Sequence, residues 1–363
     1  MNDSKYKSLI ETLKSNILSG KYGVGKPFPS VRALIKRFGL SNTTVLHALD
    51  ELVHQGLISR KQGRGTFVTK QGSSRQIGLI VPGVAVTDFY GPIIREINER
   101  AHATGYTLHF KEIFSADRQE RIHQVRELVA EFVKKRVAGV IFEPLAGPTG
   151  TGANEHILRV LDRAKIPVVL LDCDIVPFPE RSGHDVVGIN DVEAGVRLMK
   201  YLLSIGVRKI HFVMGMSSPA TFDNRLYGAI SALREWGRRC KTAILRCDPS
   251  DEAMVRRALR RYGRPDVFVC SNDLIAANLR QTMDAIGLSV PRQVMLVGFA
   301  DLPIASLMTP KLTTIRQERE QMGRMAFKRL LERIEDPDLP PTEILFPAPL
   351  IERESTMTKK RKK

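Results

Sequence analysis

The chain has 363 residues, 43% of them hydrophobic and 26% charged, and a formal net charge of +17. That length holds two or three globular units, and the composition excludes a disordered or fibrous chain. No apolar run approaches the roughly 20 residues of a membrane-spanning helix, and Met1 leads into a polar helical pattern rather than a signal peptide, so a cytoplasmic protein with no membrane partner is expected.

The charge is unevenly spread. Residues 1–76 carry 13 Lys and Arg against 4 Asp and Glu, the closing KKRKK adds five positive charges, and the long middle is close to balance. A basic N-terminal module is the footprint of a polyanion binder. Cys173, Cys240, Cys247 and Cys270 have no metal-ligand spacing, and two of them lie inside apolar runs, as small core residues do. Neither a metal nor a cofactor is expected.

From Ser4, the apolar positions Tyr6, Leu9, Ile10, Leu13 and Ile17 form one helical face. SGKYGVGKPFP ends it with glycines and prolines. Ser30 is placed to cap a second helix, with Val31, Leu34, Ile35 and Phe38 inward and Gly39 as its stop. Ser41 caps a third, with Val45, Leu49, Leu52 and Val53 inward and Gly56 as its stop. LISRKQGRGTFV reads as two short β arms around a glycine turn. The plan is a winged helix-turn-helix. The short turn at Gly39 to Ser41 forces the steep crossing that projects the third helix into a major groove. Asn42 suits bidentate pairing with adenine, Thr43 and Thr44 offer hydroxyls to phosphates, and Arg32 on the second helix is placed to reach the backbone.

The stretch from Pro27 to Val68 resembles the GntR-type winged helix, through Pro29-Ser30 with Arg32, Ser41 with Thr43-Thr44-Val45, Gly56-Leu57, and Gly63-Arg64-Gly65-Thr66-Phe67-Val68. The resemblance implies DNA contacts at Arg32, Ser41, Asn42, Thr43, Thr44, Gln62, Gly63 and Arg64. Two positions depart from the pattern: Asn42 and Leu46 stand where the family usually has arginine. The reading helix is therefore two charges short, and the wing, with Arg64 at its tip, carries a larger share of the expected binding.

KQGSSRQ, residues 70–76, is polar and Gly/Ser-rich and reads as a domain boundary, giving a head over 1–70 and a linker over 71–76. Nine β-like runs between 77 and 301 then alternate with helical patterns, which means a doubly wound α/β fold in two lobes. Polar side chains gather at strand carboxyl ends: Asp172 with Asp174, Asn190, Asn272 with Asp273, and Asp301. Ligands of open parallel sheets bind at such ends. Phe89 and Tyr90, just past the first strand of this body, offer a stacking face. Each polar residue singly is as readily a helix N-cap, but their recurrence favours a cleft.

Residues 77–352 resemble the LacI-type effector domain, a periplasmic-binding-protein fold, through stretches such as IGLIVP, DVVGINDVEAGVRLMKYLLSIGVRKIHFVMG and PDVFVCSNDLIAANLRQTMDAIGLSVPRQVMLVGFADLP. The resemblance implies lobes of 77–188 with 314–337 and of 189–312 with 338–352, crossovers near Ile189, near Thr313 and late in the chain, a homodimer, and ligand contacts at Asp172, Arg225 and Asn272. Ala300, in GFAD, falls where the family's sugar-binding aspartate stands, with Asp301 beside it. A sugar remains the first expectation for the effector and a non-sugar molecule the alternative. Residues 353–363 read as a basic, disordered tail.

A GntR-type head on a LacI-type body is similar to the layout of arabinose-responsive repressors. The expectation is a dimeric transcription regulator, a repressor rather than an activator, released from palindromic operator DNA by a small molecule. No phosphate loop, nucleophile elbow or His-rich metal motif supports an enzyme. GPTGTG at 147–152 has no following lysine and reads as a surface loop. A ligand-independent architectural DNA binder is the remaining alternative, and the retained strand-end polar set argues against it.

Overall fold

The computed structural model describes residues 2–18, 21–22, 27–61, 65–68, 74–81, 88–113, 115, 117–146, 152–215, 221–236 and 240–357. They fall into two compact units, one of residues 1–76 with 135–138 and one of the remainder.

In the first unit, α1 (Asn2–Leu18), α2 (Val31–Phe38) and α3 (Asn42–His54) precede a hairpin of β1 (Ile58–Lys61) and β2 (Gly65–Val68). Both predicted serine caps form: Ser30 Oγ accepts from the Ala33 amide and Ser41 Oγ from the Thr44 amide, each at 3.2 Å. Gly39 closes α2 in the left-handed region at φ +64°. Leu9, Leu13, Ile17, Leu34, Val45, Leu49 and Leu52 meet in one core with Ile58 and Val68 of the hairpin. Val53, expected inward, is 38% exposed. It follows Leu52, and 100° of helical rotation carries it off the buried stripe.

The body contains β3 (Ser74–Ile80), α4 (Tyr90–Ala103), β4 (Thr107–His109), α5 (Arg118–Lys135), β5 (Val137–Phe142), α6 (Ala153–Arg163), β6 (Val168–Asp172) and β7 (Asp185–Ile189). It continues with α7 (Asp191–Ser204), β8 (Lys209–Met214), α8 (Thr221–Glu235), β9 (Lys241–Arg246), α9 (Glu252–Tyr262), β10 (Val267–Cys270), α10 (Asp273–Ala285), β11 (Met295–Val297) and α11 (Pro303–Leu307). β12 (Thr314–Ile315), α12 (Arg319–Glu335), β13 (Glu343–Phe346) and β14 (Leu350–Ile351) close it. A six-stranded sheet runs β13-β7-β6-β5-β3-β4, and a four-stranded sheet runs β11-β10-β8-β9. Pairing is parallel along β13-β7-β6-β5 and throughout the second sheet. Every residue of β5 and β10 is buried, the signature of strands covered on both faces by helices.

The chain leaves the first sheet after Ile189, returns by β12 and departs again by β14, and β12 and β14 pair antiparallel. Two strand boundaries differ from the sequence reading. Ser74 to Gln76, expected as linker, already belong to β3. Residues 343–346, expected in the second lobe, form the edge of the first sheet, with Ile344 opposite Val187.

Helices α7 and α8 cross at glycine contacts. A Cβ on Gly195 would strike the Arg225 carbonyl, and one on Gly228 the Val192 carbonyl. This close approach sets Arg225 beside the start of α7.

Candidate functional site

On the head, Arg32, Ser41, Asn42 and Thr43 are exposed, and Asn42 and Thr43 open the first turn of α3. Thr44 is half-buried, and its hydroxyl shares a 2.8 Å hydrogen bond with Ser41 Oγ. That bond and the cap fix the geometry of the helix start from which Asn42 and Thr43 project. Asp50, farther along α3, pairs with Arg60 of β1 at 2.8 Å. Gln62, Gly63 and Arg64 lie outside the described residues.

In the body, strand ends from both sheets contribute to one cluster. Tyr90, the first residue of α4, donates its hydroxyl to Glu143 Oε1 at 2.5 Å. Phe89 packs edge-on against Tyr90, with 5.1 Å between centroids. Glu143 follows β5, and its second oxygen, Oε2, is buried with no hydrogen-bond partner. Asp172 ends β6 at φ +71° and accepts from Gln317 Nε2 at 3.2 Å. A Cβ on Gly188 would come within 2.6 Å of the Asp172 carbonyl, so only glycine on β7 admits that turn.

Arg225 of α8 is held on three sides. Its Nε donates to Asp191 Oδ1 at 2.7 Å and a terminal nitrogen to the Ser271 carbonyl at 3.1 Å, and its plane lies 3.5 Å from the centre of the Phe299 ring. Asn190 and Asn272 cap α7 and α10, accepting from the Glu193 and Ile275 amides at 3.0 and 2.8 Å. Each cap uses the side-chain oxygen and leaves the amide N–H groups for other partners.

Two expected ligand residues are committed elsewhere. Asp273 is fully buried, and its oxygens accept from the Thr314 hydroxyl and the Leu302 amide, both at 2.7 Å. Asp301, at φ +52°, has its carboxylate between Arg353 at 2.7 Å and Arg316 at 2.8 Å. Both acids brace the return strands and are not available to a ligand.

Burial dominates the electrostatics of the cluster. It raises Glu143 well above the usual carboxylate range, and the nearby Asp172 raises it further. Asp172 is also raised by burial, with Arg225 and then Gln317 opposing. Asp191 is pushed up to about 7 by burial, against the Arg225 charge. Burial and then Asp172 push the Cys173 thiol well up, so it stays protonated and is a poor nucleophile. A cavity of about 360 Å³ is lined by Asp172, Asn190 and Asp191 together with Phe178, Arg181 and Asn224. That volume suits a small molecule. Among the described residues no group of side chains is arranged to hold a metal ion, and no helix is long and apolar enough to cross a membrane.

Glu143, Asp191 and Gln317 are the site residues that sequence reasoning missed. Glu143 obeys the strand-end rule in the run IFEP. Gln317 meets Asp172 across 145 residues, and no local pattern signals that pairing.

Residues 5–68 match the model for bacterial regulatory proteins of the gntR family, and residues 199–356 match a periplasmic binding protein-like domain. An arabinose metabolism transcriptional repressor of Geobacillus stearothermophilus is 29% identical over 365 residues, covering 97% of each chain. Among solved structures, the transcriptional regulator CelR–cellobiose complex superposes with a TM-score of 0.66 at 20% identity, covering 87% of this chain and 91% of that one. The transcription regulator GntR from Chromobacterium violaceum gives 0.62 at 25% identity, over 77% and 99%.

Proposed function

We propose that this chain, a transcription regulator with a GntR-type winged helix-turn-helix head and a LacI-type, periplasmic-binding-protein-like body, represses carbohydrate-utilisation genes and leaves its operator when a small sugar fills the cleft. The observation that carries the reading is the convergence of Tyr90, Glu143, Asp172 and Arg225, groups from both lobes, on one desolvated cluster. Buried hydrogen-bonding groups of this kind favour a hydroxyl-rich ligand that satisfies them together. Asn190 and Asn272 supply amide donors beside them, and Phe89 and Tyr90 an aromatic wall. The repressor named for arabinose metabolism, aligned over nearly the whole chain, supports a sugar as the signal.

On the DNA side, Asn42 and Thr43 read base edges while Arg32, Ser41 and Thr44 hold phosphates. Gln62, Gly63 and Arg64 complete the proposed contacts through the wing. The working form is a cytoplasmic homodimer on a palindromic operator, since half-site spacing is the quantity an effector can alter. The cluster is a binding site rather than a catalytic one: its thiol is held protonated and it contains no metal-ligand set.

Selection of bound duplexes from a random pool, followed by fluorescence anisotropy with a panel of pentoses and hexoses, tests this. A selected palindrome released by one sugar is the expected result. Failure to select any sequence over bulk DNA, or a complex indifferent to every sugar, refutes it.

A further inference from the structure

We propose that the effector carries a protonated amine, held by the carboxylates of Glu143 and Asp172, and is therefore an amino-substituted polyol rather than a plain aldose. This rests on the effector-cleft reading above.

Glu143 is the anomaly that points there. One of its oxygens is satisfied by Tyr90, and the other is buried without a partner. A desolvated carboxylate oxygen left unpaired is costly unless something outside the protein completes it. The surroundings supply no cation for it. Glu143, Asp172 and Asp191 are three acids served by Arg225, whose Nε and one terminal nitrogen are occupied by Asp191 and Ser271. Arg319 directs its terminal nitrogens to the carbonyls of Asp88 and Asp301 instead. The chain segments 82–87 and 147–151, which adjoin these strands in sequence, contain no Lys, Arg or His.

The remaining donors, Tyr90 and Gln317, are neutral. A sugar hydroxyl would add one more neutral hydrogen bond and leave the excess negative charge untouched. An ammonium group donates three N–H bonds and carries the missing charge. A phosphorylated or carboxylated sugar would bring like charge against Glu143 and Asp172 and is disfavoured. The groups facing Glu143 are Tyr90, Asp172 and Cys173, with Asp191 and Arg225 behind Asp172. Burial favours protonated carboxyls here, so seating an ammonium ionises them and releases protons.

The test uses the full chain and matched triplets: glucosamine, galactosamine and mannosamine, each with its parent hexose and its neutral N-acetyl derivative. Calorimetry in two buffers of different ionisation enthalpy reads affinity and protons released. At least one amine is expected to bind about tenfold or more tightly than both its neutral counterparts, the usual gain for a charge-assisted hydrogen bond, with net proton release. Glu143→Gln, checked for cooperative unfolding, is expected to erase that preference. A neutral sugar that matches or exceeds its amine, or an amine preference that survives in Glu143→Gln, overturns the proposal and leaves the effector-cleft reading standing. If no member of the panel binds, and pentoses also fail, the effector reading falls with it.

Discussion

Lowering the pH from 8 to 6 is expected to stabilise the body, against the common tendency of acid to destabilise. Asp191 and Asp273 are both pushed up to about 7 from an ordinary 3.8, in each case chiefly by burial. A carboxyl that binds its proton more tightly folded than unfolded draws protons into the folded state as pH falls, so its contribution grows between 7 and 3.8. With a folded value near 7, each contributes about 1.4 kcal/mol on going from pH 8 to pH 6. Glu143 and Asp172 are raised as well and act in the same direction. His211 opposes them. Burial, and then the Lys209 charge, lowers it from 6.5 to about 4, and neither ring nitrogen has a hydrogen-bond partner. Its unfolded form takes up the proton first, which costs about 0.8 kcal/mol over the same interval. The net gain is about 2 kcal/mol. Trp236, the single tryptophan, ends the α8 region of the body, so its fluorescence in urea titrations at pH 6, 7 and 8 follows that unit. Asp191→Asn, which keeps an oxygen for Arg225, is expected to remove about 1.4 kcal/mol of the gain. A urea midpoint equal at the two pH values, or lower at pH 6, would refute the reasoning.

Ser41→Ala removes the cap of the reading helix and is expected to cost about 1 kcal/mol of head stability, read by thermal unfolding, and to weaken operator binding. Gly228→Ala forces a methyl group against the Val192 carbonyl and is expected to cost about 1–3 kcal/mol by overpacking. Because the same crossing sets Arg225, effector-induced release should weaken more than operator binding in an anisotropy titration. Restoring the arginines of the family pattern with Asn42→Arg and Leu46→Arg is expected to steepen the dependence of log affinity on log salt by about 1.8, provided both reach phosphates. Asp185→Asn disrupts a buried acid shared by Arg329 and Arg333 at 2.9 and 2.8 Å and is expected to cost about 3–5 kcal/mol in urea unfolding.

The head was legible because its signals are local. A serine before an apolar period and a glycine after it specify where a helix begins and ends, and Ser30, Gly39 and Ser41 serve in those roles. Alternation of apolar runs with helical patterns likewise announces parallel sheets. What stays hidden is decided by non-local pairing. EILF at 343–346 alternates like any half-exposed strand, and nothing within it says that it joins β7. At strand ends, sequence lists the polar residues but not their direction. Asp172 and Asp301 both end up at positive φ, yet one faces the cluster and the other is turned between two arginines. Glu143 looked like one acid among many, since its meaning comes from Tyr90, 53 residues away.

The fate of Asp301 also explains how the cleft differs between its two sides. Ala300 sits at φ +102°, where a side chain beyond Cβ is poorly tolerated, and the acid next to it ties the end of β11 to Arg316 and Arg353. The second lobe therefore gives the proposed site mainly Arg225 and Asn272, while Tyr90, Glu143 and Asp172 stand on the first. Donors of a ligand are directed to the first lobe and its acceptors to the second, which fixes orientation without the missing aspartate. Gln317 lies between β12 and α12, on the segment that joins the lobes, and already bonds Asp172. A ligand that competes for Asp172 must loosen or reposition that bond. In the proposed scheme this is the shortest physical route from effector occupancy to the connection between lobes.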